Sequence, residues 1–181
     1  METAMATVAV GRIPPQQTDK AAIASLPLTV RSRIVAVVNS HDPVNGWEVV
    51  GYGLNGAAAC PMYTPAEIRQ SIDAIAATCH PAPDEVIDEE MTRCLLATVP
   101  RKENGETVTL RMGIFVERLS EFPADVVIHV LREWADTETF PPALANLVTR
   151  CRKEYGPRQS LLRELRRAVS APKLVTSSVH P

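Results

Sequence analysis

Leu110–Cys151, LRMGIFVERLSEFPADVVIHVLREWADTETFPPALANLVTRC, decides the fold class of this chain. Leu110, Ile114, Phe115 and Leu119 recur at the three-and-four spacing of an amphipathic helix. Pro123 then stands where a helix opens, because a first-turn residue needs no amide. Behind it Val126, Val127, Val130, Leu131 and Trp134 make a second stripe at the same spacing. Asp136–Thr139 breaks that pattern, and Pro141-Pro142 restarts a short helix carrying Leu144, Leu147, Val148 and Cys151. The expectation is three helices packed through one apolar seam. Trp134 is its anchor, with Leu95, Phe115, Leu119, Val130, Leu131 and Leu147 around it.

The helical pattern extends toward the N-terminus as far as Thr64. Thr64-Pro65-Ala66-Glu67 is a capping box, in which Thr64 accepts from the third helical amide and Glu67 reaches back. Ile68, Ile72, Ile75 and Ala76 form its stripe, and His80-Pro81-Ala82-Pro83 ends it. Asp84–Glu90 opens the next helix with acids where the helix dipole favours them. Met91, Leu95, Leu96 and Val99 read as its apolar face, Pro100 as its stop, and Arg101–Glu106 as a polar turn. Toward the C-terminus, Gly156-Pro157 reads as an interruption, followed by a basic helix, Arg158–Val169, with Leu161, Leu162 and Leu165 inward.

Before Thr64 the pattern loosens. Met1–Pro27 is small, polar and proline-bearing and reads as a flexible arm. Leu28–Val38 fits either a short helix or, through its IVAVV run, a short buried strand; periodicity cannot separate the two at this length. Asn39–Pro61 is dense in Gly, Pro and Asn and reads as turns and loop, with Trp47, Val49, Val50 and Tyr52 able to pack as a single strand. The fold class expected is all-α: a compact bundle of four to six short helices over 64–169. An irregular, partly disordered arm over 1–63 precedes it, and a disordered tail over 170–181 follows.

Composition narrows the classes. With 181 residues the chain holds one ordinary domain plus extended ends. Aromatics are 4%, so the core must be built from Val, Leu, Ile and Ala. A net charge of −2 gives no global pull toward nucleic acid or anionic membrane. No stretch reaches the roughly 20 apolar residues that cross a bilayer, and Met1–Val10 lacks the form of a secretory signal. Cys60, Cys79, Cys94 and Cys151 show no paired spacing, so reduced thiols in a cytosolic protein are expected.

Leu119, Phe122, Pro123, Trp134, Phe140, Pro141, Pro142 and Leu147 carry a family resemblance. Phe122–Leu147 resembles the helical domain of phage replicative-helicase loaders and inhibitors. In that family a Leu-x-x-Phe/Tyr-Pro start precedes an apolar helix with a late aromatic, and a Phe-Pro-Pro-x-x-x-x-Leu element follows. The resemblance spans Thr64–Leu165, and the first sixty residues of the chain depart from the family's compact pattern. It implies a cytosolic protein of a phage or prophage replication module. Such a protein binds a hexameric helicase, to load or restrain it, and has no ATP site of its own. The matching positions are structural, so no contact residue is carried over.

Arg150–Arg167 is the feature in which binding competes with bare structure. Arg150, Arg152, Lys153, Arg158, Arg163, Arg166 and Arg167 stand against two acids, Glu154 and Glu164. Such a helix can follow a phosphate backbone or an acidic protein face; as plain structure it is a surface helix whose arginines cover a leucine seam. Cys79-His80 reads as a zinc or nucleophile fragment, or more simply as a helix end. His129 falls off the centre of its stripe and reads as a boundary residue. The acids from Glu85 to Glu90 diverge on a helix and read as a solvated first turn. Gly51-Tyr52-Gly53 lacks the Lys-Ser/Thr pair of a phosphate loop. The expectation is a non-enzymatic replication adaptor with a protein partner, without cofactor, metal, membrane or small-molecule substrate. The alternatives are a small DNA-binding regulator using the basic helix, and a generic helical interaction domain.

Overall fold

The computed structural model describes residues 14–42, 46–55, 63–99 and 104–170. Their order is α1 (Pro15–Ser25), α2 (Leu28–Arg31), β1 (Ile34–Asp42), β2 (Gly46–Leu54), α3 (Pro65–Ala77), α4 (Asp84–Ala97), α5 (Gly105–Leu119), α6 (Ala124–Thr137) and α7 (Leu144–Ser170). The fold is therefore mostly α with a two-stranded sheet, not purely α. No helix among the described residues is long and apolar enough to cross a membrane.

Local chemistry explains the helix starts. The Thr64 capping box is present, with Glu67 N donating to Thr64 Oγ1 at 3.2 Å and Thr64 N donating to Glu67 Oε2 at 2.6 Å. Asn104 caps α5 by accepting from Thr107 N at 2.8 Å. The polar turn expected up to Glu106 thus gives way to helix at Gly105, because asparagine satisfies an amide that the helix leaves open. Proline precedes or opens α1, α2, α3, α4 and α6, where its missing donor costs nothing.

Helix α7 is the spine. At 27 residues it runs about 40 Å at 1.5 Å per residue. Its first half packs Leu147, Val148 and Cys151 into one apolar cluster with Ile87, Met91 and Cys94 of α4, Phe115 and Leu119 of α5, and the α6 stripe ending at Trp134. Its second half packs Leu161 and Leu165 into another cluster with Leu26, Val30, Tyr52, Ile68 and Ile75. Gly156-Pro157, expected to interrupt, lies inside the continuous helix. Proline removes one backbone bond there, but apolar faces buried on both sides hold the helix through it.

The expected N-terminal arm is corrected. The described residues between 14 and 55 fold as α1, α2 and two antiparallel strands, and they supply Leu26, Val30 and Tyr52 to the second cluster. Residues 1–13, 43–45, 56–62 and 100–103, with the expected stop at Pro100, and the expected tail after Ser170 lie outside the described residues. IVAVV is a strand, but not the buried one expected: Ile34 pairs with Leu54, Ala36 with Tyr52, and Val37 with Gly51 before the register slips, while Val35, Val37 and Val38 are exposed. Gly51 packs closely against α7. A Cβ there would come within 3.2 Å of Ser160 Oγ, which donates to the Tyr52 carbonyl at 3.2 Å as β2 lies on α7.

Two apolar faces are also corrected. Leu96 and Val99 are exposed, because α4 turns Ile87, Met91 and Cys94 inward instead. Leu110 and Ile114 are 66% and 52% exposed, because α5 contributes only its C-terminal half, Phe115 and Leu119, to the core.

Candidate functional site

The basic run of α7 separates into three environments. Arg158 is not on the surface: it is 2% exposed. Its Nε donates to Asp19 Oδ1 of α1 at 2.6 Å, and its Nη2 donates to Asp125 Oδ2, in the first turn of α6, at 2.6 Å. Nη1 donates to the Thr78 carbonyl at the end of α3, also at 2.6 Å. One guanidinium thereby joins α1, α3 and α6 to α7 at the boundary between the two apolar clusters. Burial opposes its charge, but the two carboxylates outweigh that and hold its pKa above the usual arginine range. Asp19 moves up, chiefly through burial and against the pull of Arg158.

A second group is engaged at the surface. Arg150 pairs with Glu138 at 2.5 Å and lies 4.5 Å over the Trp134 ring. Lys153 pairs with Glu48 of β2 at 2.9 Å, and Arg167 with Glu164 at 3.0 Å. The third group is Arg152, Arg163 and Arg166, which are exposed and pair with no acid among the described residues. At 100° per residue they fall within a narrow arc of α7. Of seven expected contact residues, three thus remain as one free basic stripe.

The other candidates resolve into local structure. Cys79 Sγ donates to the Ile75 carbonyl at 3.3 Å and His80 Nδ1 meets the Ala77 carbonyl at 2.7 Å, as at a helix end. His129 is half-buried. Glu90 corrects the solvated first turn expected for it and its neighbours: it is buried, and Arg132 of α6 reaches it at 2.6 Å and 3.0 Å. That pairing, first through the Arg132 hydrogen bonds, holds Glu90 below the usual glutamate range. Gly51-Tyr52-Gly53 is part of β2. Among the described residues no group of three or more His, Cys, Asp or Glu is placed to hold a metal ion.

An apolar groove is the feature that the sequence did not announce. Leu110, Ile114 and Phe115 of α5 face Pro142, Ala143 and Leu144 across a space of about 380 Å³. Phe140, two residues before Pro142, is 64% exposed, while Trp134 Nε1 donates to its carbonyl at 2.9 Å and fixes the backbone there. The sequence did place Leu110 and Ile114 in an apolar stripe, but periodicity cannot say whether a stripe is covered.

Comparisons of the chain with family models, with curated proteins and with solved structures found no match.

Proposed function

We propose that this protein is a non-enzymatic adaptor that docks a protein partner in the α5 groove, and that it belongs to a phage-type DNA replication module in the cytosol. The partner that the resemblance of Phe122–Leu147 points to is a hexameric replicative helicase, which the adaptor would load or restrain. The observation that carries the reading is the exposure of Leu110 and Ile114 along a groove that Pro142, Ala143 and Leu144 line from the other side. Each such side chain gains roughly 1.5–3 kcal/mol on full burial, and a few such anchors dominate an interface. The groove also shares the Phe140–Leu147 element on which the resemblance rests. Size-exclusion chromatography with light scattering on the protein mixed with the helicase tests it. Co-elution at defined stoichiometry is the expected result, and separate elution at micromolar concentrations removes the helicase from the proposal.

The free stripe of Arg152, Arg163 and Arg166 favours a second reading, contact with a nucleic-acid backbone. Three phosphate contacts would give a salt slope near −3 on double-stranded DNA. Binding that survives neutralisation of Arg163 and Arg166 counts against it.

A further inference from the structure

Strand β1 is the least supported element of the fold. Among the described elements it packs chiefly against β2. Val35 and Val37 lie on one of its faces and Ala36 and Val38 on the other, and all four are exposed. A two-stranded ribbon is marginal in water unless further strands extend it. The register slip does not blunt this edge. Val37 opposes Gly51 and Val38 opposes Val49, so the extra residue is Val50 of β2, and β1 runs regularly through the slip.

The outer edge of β1 can be read residue by residue. Asn55 N donates to the Arg33 carbonyl at 2.8 Å, so Arg33, Val35 and Val37 turn their backbone groups toward β2. The pair between them agrees: Tyr52, opposite Ala36, gives its carbonyl to Ser160 of α7 instead. The N–H and C=O groups of Ile34, Ala36 and Val38 therefore point away from β2, and no strand among the described residues pairs with them. Open groups repeating every second residue fit an extended chain. Native edges are commonly guarded by Lys or Pro, and Ile34–Ser40 contains neither of these and no charge.

The same edge specifies its own occupant. In an antiparallel two-fold pairing centred on Ala36, Ile34 meets the partner subunit's Val38 and Val35 meets the partner subunit's Val37. Outward backbone groups then meet outward groups at every such position, and the smallest side chain of the run stands at the axis. Arg31 and Arg33 precede the strand and Asp42 ends it, so this arrangement carries the acidic end of each strand toward the basic end of the other. Pairing also stops there. The far edge of β2 lies on α7 through Ser160 and Gly51, so two copies form a closed four-stranded sheet and not a filament.

We propose that β1 is a homodimerisation edge, pairing antiparallel with β1 of a second copy about Ala36. The contact is confined to one short strand, which places it among weak, reversible complexes. Sedimentation of the full-length chain from low micromolar to near-millimolar concentration, with amide hydrogen exchange by nuclear magnetic resonance at both limits, tests it. The mass should rise toward twice that of the monomer. Val35 and Val37 amides should be protected throughout, and those of Ile34, Ala36 and Val38 only as the dimer forms. Ala36→Pro deletes a donor that β2 does not use and should weaken dimerisation about tenfold or more. Val37→Lys should weaken it comparably by placing a charge on the edge, and Ile114→Asp, in the groove, should leave it unchanged. A monomer at every concentration overturns the proposal. So does a dimer in which the Ala36 amide exchanges no more slowly, or one that is unaltered in whichever edge variant keeps the parent's circular dichroism.

Discussion

Taking a guanidinium out of water costs several kcal/mol, and Arg158 recovers it only because two carboxylates and a helix-end carbonyl surround it. Removing the guanidinium leaves Asp19 and Asp125 buried without their cation. Arg158→Ala should therefore lower stability by roughly 3–5 kcal/mol in urea unfolding, whereas a surface arginine would change it by less than about 0.5 kcal/mol. A clue to this burial is in the sequence: Cys151, Arg158 and Leu165 are seven apart and share one helix face. Charge type hid it, because arginine in a basic run reads as solvated. Its partners were not legible, since Asp19 and Asp125 are 139 and 33 residues away and carry no local signal. The thiols allow another test at this scale. Burial raises Cys94 to about 11 and Cys151 to about 12. Both should stay unmodified by iodoacetamide at pH 8 in the folded protein and react on addition of urea, as mass spectrometry of the peptides would show.

Elements were legible where caps and stripes agree and illegible where packing overrides a local breaker. Thr64 and Pro65 announce α3 without ambiguity. Gly156-Pro157 announced a break that the burial of Cys151 on one side and Leu161 on the other overrules. A Cβ at Gly156 meets nothing within 4 Å. Gly156→Ala should accordingly raise stability by up to about 1 kcal/mol, read as a higher thermal midpoint; a lower midpoint would mean that α7 bends at this position. The contact between α4 and α6 gives a pH-dependent test. Glu90, lowered by Arg132, contributes stability above its ordinary value of 4.5 and loses it as pH falls through the lowered folded value. The drop in urea midpoint between pH 7 and pH 3 should be smaller in Arg132→Gln than in the parent. Equal drops would show that the pair does not couple to folding.

Across the whole molecule, α7 carries two apolar clusters end to end, and the functional features distribute along it. The groove lies at its start, the Arg158 junction at its middle, and the free arginine stripe along its outer face. The sequence conveyed the helical class and most of the α6 core, because those depend on local periodicity. It did not convey that the N-terminal residues complete the second cluster, because hairpin packing onto a helix is a long-range event with no period of its own. Nor did it show which apolar stripe stays uncovered, and that uncovered stripe is what the functional proposal rests on. The measurement closest to that proposal is the affinity of the full-length chain for the hexameric replicative helicase, compared between Ile114→Asp and an Arg163→Gln/Arg166→Gln double variant. Docking in the groove requires that a charge at 114 weaken binding at least tenfold, while the double variant stays within about twofold of the parent. Loss of binding in the arginine variant alone, or an Ile114→Asp affinity equal to the parent's, would contradict it.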